Sequence, residues 1–92
     1  MPASPENQIV ESVFLYSLST CGMCKAVKKL LADLSINYDF IDVDLLAGIE
    51  KETAKQEMRK WDRRGPFPML IINNSTCIIG DEPNAIKKAL GK

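Results

Sequence analysis

The sequence has no histidine, only three cysteines and no surplus of either charge: 12 basic residues stand against 12 acidic ones. Each shortage removes a class of function. A structural zinc site takes four ligands, mostly cysteine and histidine, and this chain has no histidine and no second CxxC to complete one. An odd count of three leaves one cysteine unpaired in a monomer. A secreted disulfide scaffold carries an even and denser set, so a reducing, cytoplasmic compartment is the expectation. Balanced charge argues against a dedicated nucleic-acid binder. No apolar run approaches the roughly 20 residues that a spanning helix needs, so no membrane partner is expected. The opening Met1-Pro2-Ala3-Ser4-Pro5-Glu6-Asn7-Gln8 has neither the basic start nor the apolar core of an export signal.

What is present is an ordinary globular composition. At 92 residues and 46% apolar, the chain makes one domain with a core large enough to fold unaided. Residues 1–8, with two prolines and polar filler, read as a flexible tail, leaving 9–92 as the domain. No repeat, low-complexity segment or linker interrupts it.

The organising stretch is Thr20-Cys21-Gly22-Met23-Cys24-Lys25. An apolar run, Val13-Phe14-Leu15-Tyr16, precedes it, and a helical stripe of Val27, Leu30, Leu31 and Leu34 follows. A strand that stops at a CxxC and restarts as a helix puts the first thiol at the helix's open N-terminus. There, unpaired N–H groups and the positive end of the dipole favour a thiolate. The second thiol, one turn on, is placed to attack a mixed disulfide formed at the first. Cys21 is therefore the expected nucleophile, and Cys24, carried into the first turn and more buried, the resolving thiol. A CxxC in a βαβ unit is a redox motif more often than a zinc half-site.

The remaining elements follow in order. The first strand spans about Ile9 or Ser12 to Ser17 and the first helix about Met23 to Leu34. A second strand, Tyr38 to Val43, alternates enough to be half buried. Strand, helix, strand makes a βαβ unit with a right-handed crossover. A second helix spans about Ile49 to Arg63, with Ala54, Met58 and Trp61 as its stripe. Gly65-Pro66-Phe67-Pro68 ends it. Met69–Ile72 and Thr76–Ile79 pair as a hairpin across Asn73-Asn74-Ser75. Gly80-Asp81-Glu82 breaks the pattern, and Pro83 suits the first position of a last helix, Asn84 to Leu90. The order β-α-β-α-β-β-α implies an α/β fold, a four-stranded mixed sheet flanked by helices on both faces.

Three separated features, Cys21-Gly22-Met23-Cys24, Phe67-Pro68 and Gly80-Asp81, together with this order, make the chain resemble a glutaredoxin of the thioredoxin superfamily, most nearly the small bacterial and archaeal type. The resemblance implies a thioredoxin/glutaredoxin fold and a thiol–disulfide oxidoreductase. It implies that Pro68 is cis and turns the backbone of Phe67 toward Cys21, where a thiol substrate can pair with it as an added strand. It further implies that the Gly80-Asp81 turn holds the γ-glutamyl end of glutathione, with Asp81 facing its ammonium; the alternative for Asp81 is a plain helix cap. The expected substrates are disulfide-containing proteins or small disulfides. The expected reductant is glutathione, another low-molecular-weight thiol or a thioredoxin-reductase-type protein. No permanently bound cofactor or metal is expected, and the molecule is expected to be a monomer.

The chain departs from the family pattern at several points. Leu18 stands where many glutaredoxins carry a lysine that pairs with a glutathione carboxylate. Pro66-Phe67-Pro68 replaces Thr-Val-Pro, and the usual double glycine is reduced to Gly80. These changes favour a different small thiol or a protein disulfide. The Cys-Gly opening also resembles single-cysteine glutaredoxins that carry [2Fe–2S] clusters. This leaves a thiol-bridged homodimeric cluster carrier as the alternative, although those proteins have serine where Cys24 stands. A metal or copper handler using both thiols is a third reading. Arg63 and Arg64 are either an exposed basic loop or, for Arg64 in particular, a bidentate pin for a substrate carboxylate. Lys25 and Lys28 read as a solvated helix face, with added positive potential at the thiolate as the alternative. Tyr16 and Trp61 read as core or rim aromatics. Cys77 reads as a small apolar strand residue, with a regulatory thiol as its alternative.

Overall fold

The computed structural model describes Val10 and residues 12–92; the expected tail, residues 1–8, lies outside them. Four strands and three helices follow in the expected order: β1 (Val13–Ser17), α1 (Gly22–Asp33), β2 (Asp39–Asp42), α2 (Gly48–Trp61), β3 (Met69–Ile72), β4 (Thr76–Ile79) and α3 (Pro83–Ala89). They form the thioredoxin/glutaredoxin arrangement, a mixed sheet ordered β2-β1-β3-β4. β1 and β2 run parallel, with Ser17 opposite Asp42. β3 is antiparallel to β1, with Tyr16 opposite Met69, and β4 is antiparallel to β3.

Period-two alternation divides the core in two. Val13 and Leu15 point to one face and pack with Val27 and Leu31 of α1, Leu70 and Ile72 of β3, and Ile86 and Leu90 at the α3 end. Met69 and Ile71 point to the other face and meet Val43 with Ala54 and Met58 of α2. Tyr16, Trp61 and Cys77 pack around this second cluster, so both aromatics and the third thiol serve the core. All four residues of β3 are buried, as befits a strand covered on both faces.

Local chemistry sets the ends. α1 stops where Ser35 turns left-handed at φ 57°, and the Ile36 N–H reaches back to the Leu31 carbonyl at 3.0 Å. The β3–β4 turn holds Asn73 and Asn74 at φ 53° and 52°, a region asparagine tolerates better than most residues. Pro83 begins α3 at its first turn. The second strand differs from expectation. It is shorter, its Asp39 and Phe40 are exposed, and Val43 leaves the sheet to start a 3₁₀ turn, Val43–Leu45. As an edge strand, β2 has a neighbour on one side only, which leaves its first residues open. Among the described residues no helix is long and apolar enough to cross a membrane.

Candidate dithiol site

The sheet brings the sequence-predicted features to one end. β1 and β2 finish there, β3 begins there and β4 returns there. Ser17, Pro68 and Gly80 lie at that end, and the Gly80 N–H donates to the Pro68 carbonyl at 3.0 Å. The Phe67–Pro68 peptide is cis and Pro68 is buried.

Cys21, four residues past the end of β1, is extended, φ −86° and ψ 121°, and caps α1. A cap is ordinarily a serine, threonine, aspartate or asparagine oxygen. Here a sulfur does that work: Cys21 Sγ accepts the Cys24 N–H at 3.2 Å. Cys24 lies in the first turn and is fully buried, whereas Cys21 is half-buried. Cys24 Sγ accepts the Leu18 N–H at 3.4 Å.

These surroundings separate the two thiols. Burial pushes Cys21 up, but the hydrogen bonds from the Cys24 thiol and from the N–H groups of Cys24 and Met23, together with the Lys28 charge, outweigh it. Its pKa therefore lies below the ordinary thiol value. Cys24 is pushed up to about 11, first by burial, then by donating its thiol hydrogen bond to Cys21 and by the Cys21 charge. A thiol that ionises more easily than usual thus sits beside one that ionises less easily, the order an attacking thiolate and a waiting thiol require. Cys77, half-buried in β4, is also raised, by burial and then by the Asp62 charge.

Lys28 proves not to be a solvated face residue. Its Nζ lies 3.0 Å from Asp42 Oδ1 and 4.2 Å from the centroid of the Phe40 ring. Its side chain is 22% exposed and that of Asp42 16%. It follows Cys24 by one turn on the same face of α1, which places a fixed positive charge near both sulfurs. Lys25 is exposed, as expected.

The other candidates are more dispersed. Arg64 sits beside Phe67 in a cleft of about 310 Å³ lined also by Lys55, Met58, Arg59 and Gly65. Its guanidinium already binds Asp62, Nε to Oδ1 at 3.1 Å and Nη2 to Oδ2 at 2.9 Å. The bidentate contact foreseen for a substrate carboxylate is thus made within the chain, and it holds Asp62 down at about 2. Arg63 is exposed. Gly80 has φ 89°, a conformation that favours glycine. Asp81 is exposed and does not cap α3; Glu82 occupies that position and makes no side-chain cap hydrogen bond.

Sequence reasoning missed Ser17, Ser19, Asp42 and Asp44. Ser17 is completely buried, and its Oγ donates to Asp42 Oδ1. Ser19 donates to Asp44 through both its N–H, at 2.8 Å, and its Oγ. The signal was the matched spacing of Ser17-Leu18-Ser19 and Asp42-Val43-Asp44, which only the parallel register pairs. Among the described residues no cluster of three or more histidine, cysteine, aspartate or glutamate side chains is arranged to hold a metal ion.

Comparison with known proteins agrees with this geometry. Residues 13–77 match the family model for glutaredoxin. The methanoredoxin of Methanosarcina acetivorans superposes with a TM-score of 0.85 at 37% identity, over 88% of this chain and 85% of that one. The glutaredoxin of Methanosarcina mazei Go1 gives 0.83 at 42% identity, over 88% and 79%. An uncharacterised glutaredoxin-like 8.6 kDa protein in the rubredoxin operon of Clostridium pasteurianum is 31% identical over 78 residues, 85% of this chain and 96% of that one. The chain spans only 32% of the length of the first curated relative it matches, a mammalian mitochondrial protein.

Proposed function

The chain belongs to the glutaredoxin family, and from that premise we propose that it is a thiol–disulfide oxidoreductase working through the Cys21/Cys24 dithiol. The carrying observation is the asymmetry of the pair, one sulfur capping a helix and favoured as thiolate, the other buried and protonated. Cys21 thiolate attacks a substrate disulfide, forming a mixed disulfide and releasing the first substrate thiol. Cys24 gives up its proton and attacks Cys21 Sγ, breaking the bond to the substrate. The second substrate thiol leaves and takes up a proton, and Cys21–Cys24 ends oxidised. A reductant then resets the pair.

We take the substrates to be disulfide-containing proteins or small disulfides. The reductant is glutathione, another small thiol or a thioredoxin-reductase-type protein, working with a monomer in the cytoplasm. The cis Phe67–Pro68 edge, the Gly80-Asp81 turn and Arg64 are the proposed substrate contacts. Pairing of Arg64 with Asp62 and the leucine at position 18 both weaken the case for a dedicated glutathione carboxylate pocket, and favour a protein disulfide.

A disulfide-reduction assay run in parallel with glutathione, a thioredoxin reductase and other small thiols tests the proposal. Cys21→Ser is expected to abolish turnover, and Cys24→Ser to keep only reactions that need one thiol. Full activity in Cys21→Ser would reject the scheme. Material purified anaerobically with stoichiometric iron and sulfide would instead favour the cluster carrier.

A further inference from the structure

Leu18 carries the dithiol between two hydrogen bonds. Its N–H donates to Cys24 Sγ at 3.4 Å, and its carbonyl accepts the Cys21 N–H at 3.3 Å. A leucine in a loop has no means of its own to hold that peptide in place. Its two neighbours supply it. Ser17, before it, is buried and bonded to Asp42. Ser19, after it, gives both its N–H and its hydroxyl to Asp44. Val43, between the two aspartates, is buried in the second core cluster. Asp42 also accepts from Lys28, so one carboxylate anchors the strand end and a cation whose charge acts on both sulfurs.

We propose that Asp42 and Asp44 are positioning residues for the resolving step. Acting through Ser17 and Ser19, they hold the Leu18 N–H on the Cys24 sulfur and so stabilise the thiolate that must form there before it attacks Cys21. The reaction is the one written above: Cys24 S–H loses its proton to solvent, the Cys24–Cys21 bond forms, and the Cys21–substrate bond breaks to release a thiolate that is then protonated. This inference rests on the dithiol reading, and it goes further in assigning the control of its second step. The first step depends less on the Asp44–Ser19 clamp, because Cys21 Sγ takes its hydrogen bond from the helix N-terminus, whereas Asp42 also holds Lys28, whose charge acts on Cys21.

An aromatic disulfide whose thionitrobenzoate leaving group is coloured separates the two steps by stopped flow. Attack by Cys21 releases one equivalent in a phase that scales with reagent concentration. Attack by Cys24 releases the second in a phase that does not. A Cys21→Ser control subtracts any reaction at Cys77. In Ser17→Ala and Asp44→Ala the second phase is expected to slow by about three- to tenfold, the range for a hydrogen bond to a charged sulfur held less well. In Asp44→Ala the first phase is expected to stay within about twofold of wild type. Asp44→Asn, which keeps one acceptor oxygen, is expected to fall between Asp44→Ala and wild type, a graded rescue that mere loss of stability would not give. Unchanged second phases in the folded variants, or equal slowing of both phases, would overturn the positioning role alone. Absence of a second phase in the wild-type protein would instead remove the dithiol reading itself.

Discussion

Alkylation of the reduced protein at neutral pH provides a direct measure of how differently the fold treats two thiols three residues apart. Cys24 is held at about 11, against 9.0 for a free cysteine side chain. At pH 7 the thiolate fraction is then on the order of one in 10⁴, against about one in 10² for the free thiol. Since only the thiolate alkylates, Cys24 should react at least about a hundredfold more slowly than an ordinary exposed cysteine, and its complete burial slows access further. Cys21, shifted the other way, should react faster than an ordinary thiol. Limiting iodoacetamide followed by peptide mapping should therefore label Cys21 almost exclusively. Raising the pH should bring the Cys21 rate to a plateau below the ordinary thiol value. In Cys21→Ser, where burial still acts on Cys24, its labelling should keep climbing past that value. Comparable labelling of both residues at pH 7, or a Cys21 rate still rising above pH 9, would refute the account of the asymmetry.

Two further outcomes test the scaffold. Leu31 is fully buried where α1 meets the sheet, so Leu31→Ala should cost about 2–5 kcal/mol and lower the thermal midpoint by roughly 10–30 °C, readable by calorimetry. A shift of only a degree or two would mean that the α1–sheet cluster is not the main source of stability. Asp42 has its carboxyl below the ordinary 3.8, first through the Ser17 hydrogen bond and also through Lys28. A lowered folded value gives stability that is present above the unfolded value and is lost as pH falls through the folded one. Urea midpoints of the wild type should therefore drop on acidification from about pH 5 to 3, and those of Asp42→Asn should drop less. Parallel acid limbs would contradict the assigned role of the pair.

Much of the fold was legible because its signals are local. The CxxC between an apolar run and a period of three and four marks a strand, a helix mouth and a pair of thiols within one stretch. Asn73-Asn74-Ser75 between two apolar runs marks the hairpin. Pro83 marks the start of the last helix. Each operates over at most a turn or two, where capping and side-chain period act directly on the backbone. The places that misled were those where the answer depends on a distant partner. Lys28 read as solvated because no acidic residue lies one turn away from it on the helix. Asp42, with which it pairs, lies 14 residues away. Arg64 reads as either an exposed loop residue or a carboxylate pin, and its pairing with Asp62, two residues before it, stays hidden because only the loop's bend aims the fork at that carboxylate.

The sequence alone determined the strand–dithiol–helix unit and the order of elements around it. It also placed Cys24 deeper than Cys21, since one turn of helix carries the second sulfur inward. The tertiary structure decided how far apart the two thiols stand in acidity and what holds them so. The carboxylates of Asp42 and Asp44 reach the site only through the parallel register of β1 and β2, which sets side by side two serines and two aspartates 25 residues apart. Hydrogen bonds and desolvation act over a few ångströms of space, and no local period in a sequence records which residues come within that reach.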